Sequence, residues 1–154
     1  MKEYMVNTTS GKVKGYLRNN LVEYLGIPFA QPPVGSLRFK RAQPVAPWKG
    51  IYDAGDYGKE AVQLDEGQLK GSEDCLTLNI RRPMEGKDLP VLVWIHGGGY
   101  NTGSASVTLY SGVSFAEKGI VFVSVQYRLN VLGFYDFTTY PGCEDFESNC
   151  GVSD

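Results

Sequence analysis

The stretch PVLVWIHGGGYNTGS, residues 90–104, decides the fold class of this chain. Residues 90–95 form a continuous apolar run, which is typical of a strand covered on both faces in a parallel or mixed sheet. The run leads almost directly into three glycines, Gly97, Gly98 and Gly99. Glycine adopts backbone conformations that other residues avoid. The stretch therefore predicts a buried strand that ends in a glycine loop.

The residues that follow this loop complete a strand–helix–strand unit. Residues 111–118 (SGVSFAEK) suit a short helix, and Gly119 is placed to cap it. Residues 120–125 (IVFVSV) form a second apolar run, which predicts another fully buried strand. Strand, loop, helix and strand together predict a βαβ unit of an α/β protein, with a right-handed connection.

Upstream of the glycine loop, the sequence predicts strands and an extended wrap. Residues 12–25 contain two β-rich runs separated by the turn residues RNN (18–20), which predicts a hairpin. The prolines of residues 27–48 exclude a continuous helix or ladder, but the apolar bulk of this segment predicts that it is ordered. Residues 75–80 predict a short strand that ends at RRP, after a less regular stretch, 53–72. The large apolar side chains of the proline-rich segment are Phe29, Leu37, Phe39 and Trp48.

Length and composition indicate one globular domain or a piece of one. A chain of 154 residues with 42% hydrophobic and 21% charged residues can bury roughly two thirds of its unfolded surface. The 15 basic residues nearly balance the 17 acidic ones, giving a net charge of −2. Without a basic surface, nucleic acids and anionic membranes are not expected as partners.

The N-terminal residues and the cysteines indicate where the protein is located and whether it binds a metal. The first thirty residues lack the apolar stretch of a signal peptide, and no later segment resembles a membrane span. Three cysteines leave one unpaired, which favours a reducing compartment, so we expect a cytoplasmic protein. Cys143 and Cys150 flank an acidic stretch without histidine, so they are interpreted as loop residues; no metal or cofactor is expected. The third cysteine is Cys75.

Four segments of the chain, taken in order, resemble the first segments of type-B carboxylesterases and cholinesterase-like proteins. The resemblance implies that residues 1–154 are the N-terminal part of a single α/β-hydrolase domain, whose remainder lies beyond the chain. It implies an N-terminal β-hairpin plus the first strands of a mixed, mostly parallel central sheet. It also implies hydrolysis of a small-molecule carboxylic ester by acyl transfer to a serine beyond this chain. The segments are GIPFAQPPVGSLRFKRAQPVAPW (26–48), SEDCLTLNI (72–80), VLVWIHGGGYNTGS (91–104) and VSVQYRLNVLGF (123–134).

The chemistry expected of the glycine loop is the binding of an oxyanion. Attack on an ester carbonyl produces a negative oxygen, which needs fixed N–H donors about 2.7–3.1 Å away. Consecutive glycines can turn successive amides toward one point. In the resembled family the donors are the second and third glycines, which correspond to Gly98 and Gly99. His96 and Gly97 are expected to shape the loop.

Neither the single histidine nor the last serine is expected to be a triad member. Triad histidines of α/β-hydrolases follow the serine and the acid in the chain, whereas His96 precedes the oxyanion glycines. No complete G-x-S-x-G occurs, and the tetrapeptide GVSD (151–154) makes Ser153 a poor nucleophile candidate. We therefore expect no turnover from this chain alone.

Further consequences of the resemblance concern ion pairs and a cysteine. Arg38 is expected to face Glu73, and Arg128 to face Asp154; deleting one partner should cost about 3–5 kcal/mol if a pair is buried, and little if it is solvated. Family members with a disulfide from the SEDC segment pair that cysteine upstream, where Gln63 and Leu64 stand here. Cys75 is thus expected to be a buried free thiol. The preceding loop lacks a tryptophan, which disfavours a choline ester as substrate.

Two alternatives to the esterase hypothesis stay open at the level of sequence. The chain could belong to a non-catalytic, cholinesterase-like interaction protein of the neuroligin type, or it could be a self-sufficient binding module. A G-x-S-x-G motif encoded after residue 154 would favour the enzyme. The binding module is disfavoured because a sheet that ends at residues 121–125 would expose an apolar strand on both edge and face, and such a protein should aggregate.

Overall fold

The computed structural model describes residues 2–154. Within these residues, nine strands and three short helices alternate with irregular segments. No helix among these residues is long and apolar enough to cross a membrane. The elements in chain order are β1 (Glu3–Thr8), β2 (Gly11–Arg18), β3 (Leu21–Pro28), β4 (Ile51–Asp53), β5 (Gln63–Asp65), β6 (Gln68–Lys70), β7 (Thr77–Pro83), β8 (Val91–Ile95), α1 (Val113–Ala116), β9 (Val121–Val125), α2 (Asn130–Phe134) and α3 (Cys150–Ser153).

The central sheet is mixed, as the family resemblance implies, but the part that the structure describes is mostly antiparallel rather than mostly parallel. Its strand order is β1-β2-β3-β7-β9-β8, with β4 paired to β2, while β5 and β6 form a separate hairpin. Within the described residues most pairings are antiparallel, and only β8–β9 and β2–β4 are parallel. The parallel β8–β9 pair is connected through α1, which is the predicted βαβ unit. Tight turns join β1, β2 and β3, which makes their two pairings antiparallel.

The predicted hairpin is confirmed as β2 and β3. Its turn residues Asn19 and Asn20 have φ values of 49° and 63°, which are the left-handed conformations of the turn that matches strand twist. Strand β1 was not predicted, although it pairs with β2 from Glu3 opposite Tyr16 to Thr8 opposite Gly11. Its residues are mostly exposed, so β1 lacks the apolar alternation by which sequence analysis recognises strands.

The two apolar runs lie side by side, but their environments differ from the prediction. Strand β9 lies between β7 and β8, and β8 forms the edge of the described sheet. Val91, Val93 and Ile95 are 62%, 58% and 67% exposed. The prediction that β8 is covered on both faces is therefore wrong for the described residues, and the exposed apolar edge predicted for residues 121–125 belongs to β8. An apolar run does not reveal which strand is outermost.

Three other segments differ in extent from their predictions. Helix α1 is shorter than residues 111–118, and Gly119, with φ of 85°, ends the helix by donating its N–H to the Ala116 carbonyl. Strand β7 continues through Arg81 to Pro83, because Arg81 is buried in an ion pair with Glu23. The stretch predicted to be irregular contains the β5–β6 hairpin.

The proline-rich segment is ordered, as predicted. Ala30 and Pro44 form an isolated β-bridge across it. The Trp48 indole donates its N–H to the Lys12 carbonyl at 2.9 Å and packs against a core cluster around Val13. Trp48 thus attaches the end of the segment to strand β2.

The cysteines differ in their surroundings. All three are free thiols in the described chain. Cys75 is buried, as predicted, in a core cluster with Leu76 and Leu129. Cys143 lies in a loop, but Cys150 is the first residue of α3 and is buried, so its interpretation as a loop residue is wrong. The cytoplasmic location stays a prediction.

Candidate active site

The glycine loop leaves the sheet where β8 ends at Ile95. Gly98, Gly99 and Tyr100 have φ values of 133°, 60° and 64°, a run of conformations that side chains strongly disfavour. Gly98 is required sterically as well, because a Cβ atom there would overlap the Thr102 carbonyl oxygen. The Gly98 carbonyl in turn accepts the backbone N–H groups of Asn101 and Thr102, each at 3.2 Å. The loop is therefore closed on itself by backbone bonds.

The N–H groups of Gly98 and Gly99 are available to a ligand. Neither donates a hydrogen bond to another group among residues 2–154. Both glycines line an open cavity of about 660 Å³. A donor that lacks a protein partner can be satisfied by water or by a bound group, so two adjacent free amides beside a cavity make a candidate anion site. The side chains that border the cavity include Ile95, His96, Tyr100, Tyr127, Phe134 and Asp154.

His96 lies at the base of the loop. It is buried, its ring stacks on Tyr127 at a centroid distance of 4.5 Å, and its Nδ1 lies 3.0 Å from the Gly97 carbonyl oxygen. Its Nε2 is buried without a hydrogen-bond partner in the described part of the chain. No carboxylate bonds to this ring among residues 2–154, so the geometry fits a role in loop shape better than one as a base, and that role stays a prediction.

Two residues that sequence analysis did not single out hold the front half of the loop. The Tyr127 hydroxyl donates to the His96 carbonyl at 2.8 Å, and burial raises the pKa of this phenol. The Asn130 backbone N–H donates to the Tyr100 carbonyl at 2.6 Å. Both belong to the segment VSVQYRLNVLGF, so the resemblance marked the segment without indicating these contacts.

A buried polar network holds the chain after the loop. Gln126 accepts the Ala105 N–H at 3.0 Å and donates to the Ser104 hydroxyl at 2.9 Å. The Ser124 hydroxyl donates to the Ala105 carbonyl at 3.2 Å and accepts a bond from Asn79 at 3.1 Å. These groups are buried, so losing one partner would leave another unsatisfied. The network fixes residues 104–105 to strands β7 and β9.

The structure places the other candidate residues outside the loop. Ser153 lies in α3, where its hydroxyl donates to the Cys150 carbonyl at 2.7 Å, an interaction that stabilises the helix end. Among residues 2–154, no group of three or more His, Cys, Asp or Glu side chains could hold a metal ion.

Both predicted ion pairs are present, and both are bidentate. Arg38 contacts Glu73 at 2.5 and 2.7 Å, and Arg128 contacts Asp154 at 2.8 and 2.5 Å. The first pair is partly exposed, with side chains 44% and 25% accessible. The second pair is buried, at 4% and 0%, and Asp154 borders the cavity of the glycine loop.

The sequences of known proteins resemble this chain along nearly its whole length. Phenmedipham hydrolase of Pseudarthrobacter oxydans is 44% identical over 142 residues, which cover 84% of this chain and 29% of the relative. Para-nitrobenzyl esterase of Bacillus subtilis is 38% identical over 163 residues, covering 100% and 33%. Cholinesterase of Mus musculus is 37% identical over 172 residues, covering 99% and 28%. The chain thus spans about a third or less of the length of these relatives.

Solved structures confirm the fold class. A PNB esterase superposes with a TM-score of 0.89 at 38% identity, covering 97% of this chain and 32% of its own. The Geobacillus stearothermophilus carboxylesterase EST55 superposes with a TM-score of 0.81 at 35% identity, covering 97% and 30%. The family model described as "Carboxylesterase family" matches residues 2–154. The chain therefore belongs to the carboxylesterase family and has part of an α/β-hydrolase fold.

Proposed function

We propose that this chain supplies the oxyanion-binding loop of a serine-dependent carboxylic ester hydrolase. The observation that carries the proposal is the pair of adjacent N–H groups, at Gly98 and Gly99, that lack protein acceptors and border a cavity. The serine nucleophile, its acid and its histidine would lie outside these residues. Without them the chain binds an oxyanion but does not turn over substrate.

In the proposed reaction, the ester carbonyl oxygen lies against the two amides. Attack by the serine turns this oxygen into an alkoxide, and hydrogen bonds to a charged acceptor are shorter and stronger than those to a neutral carbonyl. The amides therefore bind the transition state more tightly than the substrate, which is the condition for catalysis. Removing one such donor typically lowers kcat by about 10²–10³-fold.

The rest of the loop would keep these donors in place before the reaction. The buried His96 ring, stacked on Tyr127, fixes the point where the loop leaves β8. A Cβ atom at Gly97 would meet nothing within 4 Å, so this glycine, which lines the cavity, leaves the space beside it open. Donors held in advance need no reorganisation as charge develops.

The substrate class is proposed from the site and from the relatives. The relatives include a para-nitrobenzyl esterase, a phenmedipham hydrolase and a cholinesterase, which supports a small-molecule ester as substrate. The aromatic side chains of Tyr100, Tyr127 and Phe134 border the cavity. Such a surface suits an apolar acyl or alcohol group.

The proposal is tested by a matched pair of glycine substitutions in the whole protein. Gly99 and Gly35 have φ values of 60° and 57°, and a Cβ atom at either would meet nothing within 4 Å. Gly99→Ala and Gly35→Ala therefore introduce similar backbone strain. We expect Gly99→Ala to lower kcat for p-nitrophenyl acetate by about 10²-fold because it displaces an oxyanion donor. Gly35→Ala should retain the kcat of the parent protein.

Two results would contradict the proposed function. One is an equal loss of kcat in both variants, because strain alone would then explain the loss. The other is a whole protein that hydrolyses no p-nitrophenyl ester above the buffer rate. Stability is measured in parallel by thermal denaturation, so that a loss of folded protein is not mistaken for a loss of catalysis.

A further inference from the structure

We propose that Gln63 is a positioning residue for the glycine loop. Its side-chain amide holds the backbone of Gly103, and Gly103 in turn supports the residues that present the Gly98 and Gly99 amides. The inference rests on the proposed function, which it deepens by adding a residue that is remote from the glycine motif in sequence.

Gln63 directs its side chain at one backbone unit. It is the first residue of β5 and is only 8% exposed. Its Nε2 donates to the Gly103 carbonyl at 3.0 Å, and its Oε1 accepts the Gly103 N–H at 2.9 Å. Nε2 also lies 3.2 Å from the Ala61 carbonyl. Two reciprocal bonds from a planar amide fix both the distance and the orientation of the partner.

Gly103 depends on this contact. In the described chain, neither its N–H nor its carbonyl has another hydrogen-bond partner. The loop's other anchors act elsewhere, since Tyr127 holds the carbonyl of His96 and Asn130 holds that of Tyr100. After Gly103, residues 104–105 are fixed by Gln126 and Ser124. Loss of the Gln63 amide would therefore free the peptide groups of Gly103, which lie between the anchor at Tyr100 and this network.

The backbone of Gly103 packs directly against the start of the glycine motif. A Cβ atom at this position would overlap the Gly97 carbonyl oxygen and would lie 2.6 Å from the His96 Nδ1. Gly103, with φ of 115°, is therefore in close contact with the first glycine and with the histidine. A shift of Gly103 would be transmitted directly to both residues because close-packed groups cannot move independently.

A second connection runs through the neighbouring residue. Thr102 donates its N–H to the Gly98 carbonyl at 3.2 Å, and the two backbones are so close that a Cβ at Gly98 would overlap the Thr102 carbonyl. Moving Gly103 moves Thr102, and the peptide plane of Gly98 follows. Gln63 thus controls the direction of the oxyanion donors without touching the substrate.

The experiment compares Gln63→Glu with Gln68→Glu in the whole protein. Both changes add one negative charge to the β5–β6 hairpin, but Gln68 is exposed and its side chain makes no hydrogen bond among residues 2–154. In Gln63→Glu a carboxylate faces the carbonyl oxygens of Gly103 and Ala61 and cannot donate to them. Gln68→Glu should behave as the parent protein.

The first readout is catalysis per active site. The concentration of competent sites is titrated with an organophosphate that labels the serine, which removes the contribution of misfolded protein. We expect kcat per titrated site to fall about 10- to 100-fold in Gln63→Glu, the size of effect produced by a misplacement of about 1 Å. KM should change less than about threefold because the donors act mainly in the transition state.

The second readout is hydrogen exchange in peptides that span residues 96–103, measured by mass spectrometry. Exchange should be faster in Gln63→Glu than in Gln68→Glu. Unchanged exchange would overturn the inference, as would faster exchange with an unchanged kcat per site. If the parent protein hydrolyses no ester, the proposed function fails, and exchange alone then decides whether Gln63 holds the loop.

Discussion

The two predicted arginine–carboxylate pairs have the same bidentate geometry and opposite environments. Arg38–Glu73 lies at the surface, whereas Arg128–Asp154 is removed from solvent. Water screens the first pair, so its charges gain little from meeting. The second pair could not lose either partner without leaving a charge in a medium that solvates it poorly. Ion pairs of identical chemistry therefore stabilise the fold to very different extents, according to how deeply they are buried.

The buried pair also connects more of the chain. Asp154 accepts the backbone N–H of Arg128 at 3.0 Å, and the Arg128 guanidinium donates to the Lys40 carbonyl at 2.8 Å. The pair thus joins the proline-rich segment, the residues after β9 and helix α3. Arg81 and Glu23 form another buried pair, 2.7 Å apart, in which Arg81 also donates to Tyr57 and Ser111.

The largest effect on stability is expected when the buried pair is broken. Asp154→Asn keeps the size of the side chain but leaves the Arg128 cation uncompensated, so we expect the free energy of unfolding to fall by about 3–5 kcal/mol. Urea denaturation of the whole protein measures the change. Asp145→Asn is the control because Asp145 is exposed and has no ion pair among the described residues. Equal losses in both variants would contradict the burial argument.

The next prediction concerns the reactivity of the Cys75 thiol, which lies beside both pairs. We expect a smaller and more local effect there. Burial, followed by the charge of Asp154, raises the pKa of the Cys75 thiol from its ordinary value of 9.0 to about 12. At pH 8 its thiolate is roughly a thousandfold rarer than that of an ordinary cysteine. Iodoacetamide labelling followed by mass spectrometry should modify the less buried Cys143 first. Labelling of Cys75 at the rate of Cys143 would contradict this prediction.

The same pKa shift has a defined sign for stability. Between about pH 9 and 12 the thiol is ionised in the unfolded chain and protonated in the folded one. Folding then requires the thiolate to take up a proton, so the contribution of Cys75 to stability falls as the pH rises through this window.

The Asp154→Asn variant should label faster at Cys75, because breaking the pair loosens its surroundings. An unchanged labelling rate in that variant would show that the ion pair does not influence the reactivity of Cys75.

The smallest effect is expected from Glu73→Gln, which breaks the exposed pair. The Arg38 guanidinium is then hydrated by solvent, so the urea midpoint should stay within error of that of Glu85→Gln, an exposed control. Raising the salt concentration should make any residual difference smaller, since mobile ions screen exposed charges. A loss as large as that of Asp154→Asn would overturn the comparison between the two pairs.

The sequence predicted local features of the fold better than positions in the sheet. The Asn19-Asn20 turn follows from the preference of asparagine for left-handed conformations, which is a property of the residue itself. The pairing of β8 with β9 alone among the described strands could not be predicted, because Val91 and Val93 would look the same in a strand with two neighbours. Strand β1 was missed because its stability comes from pairing with β2 rather than from its own composition.

The candidate site follows the same division. The three glycines indicated a loop of special geometry, and the free amides of Gly98 and Gly99 are compatible with the proposed role. Gln63 lies 40 residues before its partner Gly103, and no periodicity or motif connects residues at that distance. Contacts of this kind depend on how strands and loops are arranged in space, so only the folded chain brings them together.

By itself, the sequence determined the family, the hairpin turn, the glycine loop and the chemical type of each ion pair. The hairpin turn and the glycine loop follow from local backbone preference, whereas the family and the ion pairs follow from the resemblance of four segments to known esterases. The tertiary structure decided which strands pair, which ion pair is buried and which side chain contacts Gly103. Burial and long-range contacts depend on residues far apart in the chain, and the free energy of a charge or a hydrogen bond is set by those surroundings.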